Sequence, residues 1–317
     1  MFAQVSLRVL AVAIAFLSQE CAAQFPPTPP FGGLPSLPSL PSLPGLPGLP
    51  GLPGLPGLPA PLKTVTNWGS NPSNLQMQVY KPKNVAQNPA VIFAYSSLAD
   101  KHGYIVVYPT SPDENGCWDV ASKAGLTRNG GGDSTGLANM VQFVKSEYNA
   151  NPAKIFITGS SSGCMMTNVM ISLYPDLFAA ATCYSGVPAG CLAGSPSSSP
   201  MSSDPACAKG EIIKTGEQWA QIVYSMDPGY NGKRPKFATL HGTADTVVNI
   251  KDLGEQIKQW STVFGINKTS ENPNTPQKGY TQLIFGDGTQ FVAYSADGVG
   301  HTVPVDENLD LKWFGII

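Results

Sequence analysis

A β-rich run, Lys154-Ile155-Phe156-Ile157-Thr158, meets Gly159-Ser160-Ser161-Ser162-Gly163 and then a helical run from Cys164 to Met170. Strand, G-x-S-x-G and helix in that order form the setting of a nucleophile elbow. The glycines allow a turn too tight for side chains and leave the middle serine at the strand's end. The helix behind it brings a partial positive charge to the place where an oxyanion would form. Ser161 is therefore the candidate nucleophile. Ser160 and Ser162 do not sit centrally between the glycines, and the backbone N–H of Ser162 is the candidate oxyanion donor.

A serine nucleophile needs a base, and the chain has three histidines. His102, in Ala99-Asp100-Lys101-His102-Gly103, reads as a cation at a helix C-terminus. His241 ends the apolar run Phe237-Ala238-Thr239-Leu240 and reads as a turn-shaping residue. His301 lies in the glycine-bearing loop Gly298-Val299-Gly300-His301-Thr302-Val303-Pro304. The chain order expected of an elbow serine is Ser, then Asp or Glu, then His. His301 alone follows both Ser161 and a suitable acid. Asp245, four residues beyond His241, is the preferred acid. Asp297, four residues before His301, reads as a loop residue.

The surrounding pattern is α/β. Strands are expected at 75–80, 90–94, 104–108, 154–158, 179–184, 236–241 and 290–295. Helices are expected over 165–173 and 253–264, and from Asp133-Ser134 as cap to about Tyr148. Alternating strands and helices imply a mostly parallel sheet with helices on both faces.

The N-terminus has the form of an export signal over residues 1–23: Arg8, an apolar stretch from Val9 to Leu17, then Cys21-Ala22-Ala23. That stretch is too short to cross a bilayer. Residues 24–62 are a Pro/Gly/Leu/Ser-rich linker, with proline at every third position favouring extended polyproline II. One domain is expected over 63–317. Secretion makes Asn267-Lys268-Thr269 a glycosylation sequon. Setting Cys21 aside with the leader leaves Cys117, Cys164, Cys183, Cys191 and Cys207, an odd number. Cys164 and Cys183 sit in apolar surroundings, where free cysteine is commonly buried. A net charge of −2 and 13% charged residues do not describe a nucleic-acid binder. Neither metal-ligand spacing nor a phosphate-binding loop is present, so no cofactor is expected, and the chain reads as a monomer.

Several segments resemble the fungal carbohydrate esterase family 1, the acetylxylan and feruloyl esterases, themselves similar to polyhydroxybutyrate depolymerases. They are Gly116-Cys117-Trp118-Asp119-Val120, Asn129-Gly130-Gly131-Gly132-Asp133-Ser134, Thr158 to Asn168, and Tyr184-Ser185-Gly186-Val187-Pro188-Ala189-Gly190-Cys191. To these are added His241-Gly242-Thr243-Ala244-Asp245, the loop from Gly298 to Pro304, and the ending Lys312-Trp313-Phe314-Gly315. The resemblance implies the α/β-hydrolase fold, a triad of Ser161, Asp245 and His301, and a secreted esterase acting on acetylated or feruloylated xylan. It also implies a Cys191–Cys207 disulfide. The rival readings are a feruloyl or polyester esterase, and an inactive secreted carbohydrate-binding protein.

One departure stands out. After Pro89-Ala90-Val91-Ile92-Phe93 the family carries about twenty residues with a His-x-Cys-Gly-like turn, which gives a backbone N–H to the oxyanion. Here Phe93-Ala94 runs directly into Tyr95-Ser96-Ser97-Leu98. The missing cysteine is the expected partner of Cys117, so Cys117 is expected to be unpaired and the esterase impaired.

Overall fold

The structure, a computed structural model, describes residues 62–93, 98–198 and 204–317. The expected leader (1–23) and, apart from Leu62, the expected linker (24–62) lie outside the described residues. Chain order begins with strands β1 (Lys63–Val65), β2 (Gln76–Tyr80) and β3 (Val91–Phe93), helix α1 (Ala99–His102) and β4 (Ile105–Thr110). Next come α2 (Asp133–Glu147), β5 (Ile155–Ser160), α3 (Ser162–Leu173), β6 (Ala180–Tyr184), α4 (Pro205–Ala208) and α5 (Gly216–Met226). The chain closes with β7 (Lys236–Gly242), α6 (Lys251–Phe264), β8 (Lys268–Pro273), β9 (Tyr280–Phe285), β10 (Phe291–Ala296) and α7 (Glu307–Phe314).

All ten strands form one sheet in the order β1-β2-β4-β3-β5-β6-β7-β10-β9-β8. The six central strands, β4 through β10 in that order, are mutually parallel, and the two strands at each end are added antiparallel. Alternation along each strand decides which layer a side chain enters. Val91, Ile155 and Phe237 enter a core with α2, α3, α5 and α6. Ile92 and Phe156 enter the opposite layer, under α1 and α7, where Phe156 stacks on Phe314. Helices thus cover both faces, as the sequence pattern requires.

The expected cap of α2 is corrected. Gly132 is the N-cap, with no side-chain cap, and Asp133 is the first helical residue. Its carboxylate accepts from the Asp119 backbone N–H at 2.9 Å, tying the 116–132 loop to the helix.

Asp310 on α7 is 4% exposed and accepts a 2.6 Å hydrogen bond from the Tyr184 hydroxyl. Burial pushes its carboxyl up to about 7, against the opposing pull of that hydrogen bond. Burial, with Glu255 and Asp245 nearby, pushes Asp252 up to about 8. Both native carboxyls hold their protons more tightly than an unfolded aspartate does. Their contribution to stability is full below about pH 4 and is lost as the pH rises through the native values. Asp310→Asn keeps an acceptor for Tyr184 and removes the ionisation. At pH 8 it should be more stable than the wild type by roughly 4 kcal/mol, an advantage that vanishes by pH 4. Urea denaturation at the two pH values checks this.

Candidate active site

Ser161 sits between β5 and α3 with φ 52° and ψ −119°, backbone that a non-glycine residue adopts only under constraint. Its N–H donates to the Tyr184 carbonyl at 2.8 Å, and its carbonyl accepts from the Met165 N–H at 3.0 Å. Gly159 allows the turn. A Cβ there would lie 2.3 Å from the carbonyl carbon of Gly163. Gly159→Ala should therefore destabilise the fold by about 3 kcal/mol, read as a lowered thermal midpoint.

Asp245 follows β7, and His301 follows β10. These strands pair in parallel and end side by side, with Ala296 opposite Gly242. Backbone bonds staple the two loops: Thr243 N–H to Ala296 O at 2.9 Å and Ala244 N–H to Val299 O at 3.0 Å. A Cβ on Gly242 would meet Val299 O at 2.1 Å, so the close approach needs glycine. On the other side, Val303 N–H donates to Ser185 Oγ at 3.0 Å, anchoring the histidine loop beyond β6.

The result is one connected line. His301 Nε2 is 2.8 Å from Ser161 Oγ, and His301 Nδ1 is 2.7 Å from Asp245 Oδ2. Asp245 Oδ1 accepts from the backbone N–H groups of Val247 and Val248, both at 2.9 Å. The buried His241 brings Nε2 to 2.9 Å from the Val248 carbonyl and 3.4 Å from Asp245 Oδ2. Burial alone would raise the Asp245 carboxyl. The donors from His241, His301 and Val248 outweigh it and hold the acid well below the usual carboxylate range. Asp245 thus stays ionised beside the imidazole. Asp297 is elsewhere, accepting from Thr243 Oγ1 at 3.2 Å, and His102 ends α1.

Ser162 opens α3, so its backbone N–H has no partner within the helix. Its hydroxyl accepts from the Trp118 N–H at 2.8 Å, which fixes the 116–120 segment against the elbow. Trp118 had no role assigned from sequence, although its motif was visible. Residues 94–97, where a second oxyanion donor would be sought, lie outside the described residues. Ser161 and His301 open onto a cleft of about 330 Å³, whose apolar wall includes Phe93, Trp118, Leu137, Ile157, Met166 and Val303.

The cysteines require two corrections. Cys164 and Cys183 are not free: they form a disulfide, with Cα atoms 4.5 Å apart. The first turn of α3 packs directly on β6, a proximity that nineteen residues of separation conceal. Cys117, expected to be unpaired, is likewise disulfide-bonded. Cys191 and Cys207 are joined as the resemblance implied. Their sulfurs lie with Asp252 in a group of metal-ligating types, but the disulfide occupies both thiol positions. Asn267, of the sequon, is exposed just before β8.

Comparisons with known proteins agree with this architecture. The profile of the family Esterase PHB depolymerase matches residues 74–214. Feruloyl esterase B of Talaromyces funiculosus is 46% identical over 273 residues, covering 81% of this chain and 77% of that protein. A probable acetylxylan esterase A of Aspergillus fumigatus is 47% identical, covering 80% of this chain and 73% of that protein. The solved structure of an acetyl xylan esterase from Aspergillus awamori is 42% identical, with a TM-score of 0.76. It covers 81% of this chain and 100% of that one. With its α/β-hydrolase fold and these relatives, the chain belongs to the PHB-depolymerase esterase family and is a carboxylic ester hydrolase.

Proposed function

We propose that this protein is a secreted serine esterase that removes acyl groups, acetyl or feruloyl, from xylan. The observation that carries the reading is the position of His301, between Ser161 Oγ at 2.8 Å and Asp245 Oδ2 at 2.7 Å. The relatives named as acetylxylan and feruloyl esterases support the substrate class. The sequence of the leader supports export, and export would make Asn267 a glycosylation site.

In this reading His301 takes the proton of Ser161 as the hydroxyl oxygen attacks the ester carbonyl. Asp245 holds the imidazole's tautomer and stabilises the imidazolium. The tetrahedral oxyanion is met by the Ser162 N–H at the head of α3. The intermediate then collapses with cleavage of the bond between the acyl carbon and the sugar oxygen, and His301 gives its proton to that departing oxygen. Water, deprotonated by the same imidazole, attacks the acyl-enzyme and releases the acid.

Activity would be impaired by the shortened segment after Phe93. The alignment to the Talaromyces enzyme runs over 273 residues, more than 81% of 317 can supply, so it carries gaps in this chain. That agrees with a stretch missing here.

The apolar cleft favours the feruloyl reading, because about 330 Å³ exceeds what an acetyl group needs and lies at the lower end of the range for pockets that hold drug-sized ligands. Methyl ferulate and acetylated xylan, assayed side by side, decide between them. A feruloyl esterase gives at least tenfold higher kcat/KM on the ferulate. No hydrolysis of either would sink the substrate reading.

A further inference from the structure

A second groove of about 530 Å³ adjoins the cleft, and the two share Pro304 and Val305 as a common wall. These residues follow His301 by three and four positions, so the groove begins where the proposed reaction centre ends. Its far side is the turn joining β8 and β9, which contributes Pro276 and Gln277, with the buried Tyr280 at the start of β9 behind them. Its floor runs into the start of α7 at Glu307 and Asn308.

We propose that this groove is a subsite for a neutral sugar of the polysaccharide main chain, next to the sugar that carries the ester. The proposal rests on the reading that the substrate is a polysaccharide ester. A pyranose ring offers hydroxyls at its edge and C–H groups on its faces. The exposed amides of Gln277 and Asn308 each supply both donors and an acceptor, which suits hydroxyls. The exposed rings of Pro304 and Pro276 supply apolar surface for the faces. Continuity across Pro304–Val305 lets one extended chain occupy both depressions. Asp306 also lines the groove, though Oδ1 of its carboxylate is engaged by the N–H groups of Asn308 and Leu309 at 3.0 and 3.1 Å. With Glu307 it gives the groove a negative wall, which disfavours sugars bearing a carboxylate.

The test is calorimetry on the full chain with two probes, xylohexaose and a xylo-oligosaccharide bearing glucuronic acid. Xylohexaose should bind saturably. Gln277→Ala and Asn308→Ala, both surface changes, should each weaken its Kd about tenfold while the thermal melt stays that of the wild type. The uronic-acid probe should bind about fivefold more weakly than xylohexaose, a gap that Glu307→Gln should narrow. Absence of xylohexaose binding, or unchanged Kd in both alanine variants, would overturn the subsite. Deacylation of xylan is measured separately. Binding as expected with no deacylation leaves the subsite and removes the substrate reading. Deacylation with unaltered binding in the variants does the reverse.

Discussion

Ser161→Ala should lower kcat on p-nitrophenyl acetate by about 10,000-fold while leaving the thermal midpoint unchanged. The loss follows from the line of contacts. Without Oγ the imidazole of His301 has no nucleophile to deprotonate, and the remaining groups can only bind and polarise the ester. Stability should hold because alanine enters the same positive-φ turn with no larger side chain, and the turn is fixed by backbone bonds to Tyr184 and Met165. His301→Gln should cost a comparable factor. The two losses should not add when combined, since the side chains act as one unit. Steady-state kinetics on the three variants check this, and a double variant much slower than either single would count against shared action.

Inserting a family-length segment between Phe93 and Leu98 should raise kcat on an acetyl ester by about 100- to 1000-fold, the usual worth of one oxyanion donor. The Ser162 N–H stands at the head of α3, whose dipole adds to it. A tetrahedral oxyanion held by one donor is stabilised far less than one held by two. The gain should appear in kcat rather than KM, because the charge develops only in the transition state. Equal rates with and without the insert would mean that a second donor is already in place.

Much of this fold and site was legible in the sequence, and what escaped has identifiable causes. The central strands are buried on both faces, so they read as continuous apolar runs such as Ile155-Phe156-Ile157. The meeting of Ser161, His301 and Asp245 was legible because elbow chemistry fixes glycine spacing and chain order limits the histidine to one choice. Strand β8 was not, because Lys268–Pro273 is exposed throughout and shows no alternation; pairing with β9 alone makes it a strand. Helix α5 is announced in the sequence by its cap and its apolar spacing. Thr215 and Gln218 form a capping box, and Trp219, Val223 and Met226 lie buried at helical spacing. The Cys164–Cys183 bond escaped because α3 and β6 become neighbours only once the sheet is assembled. The support of Asp245 by His241 and the Trp118–Ser162 link also depend on the folded turn and not on spacing.

The most direct measurement is to treat the protein with a serine-directed organophosphate ester and map the modified peptide by mass spectrometry. The adduct should fall on Ser161, and it should be lost in His301→Gln. Modification at another serine, or labelling of Ser161 that is indifferent to His301, would contradict a reaction run by these two side chains together with Asp245.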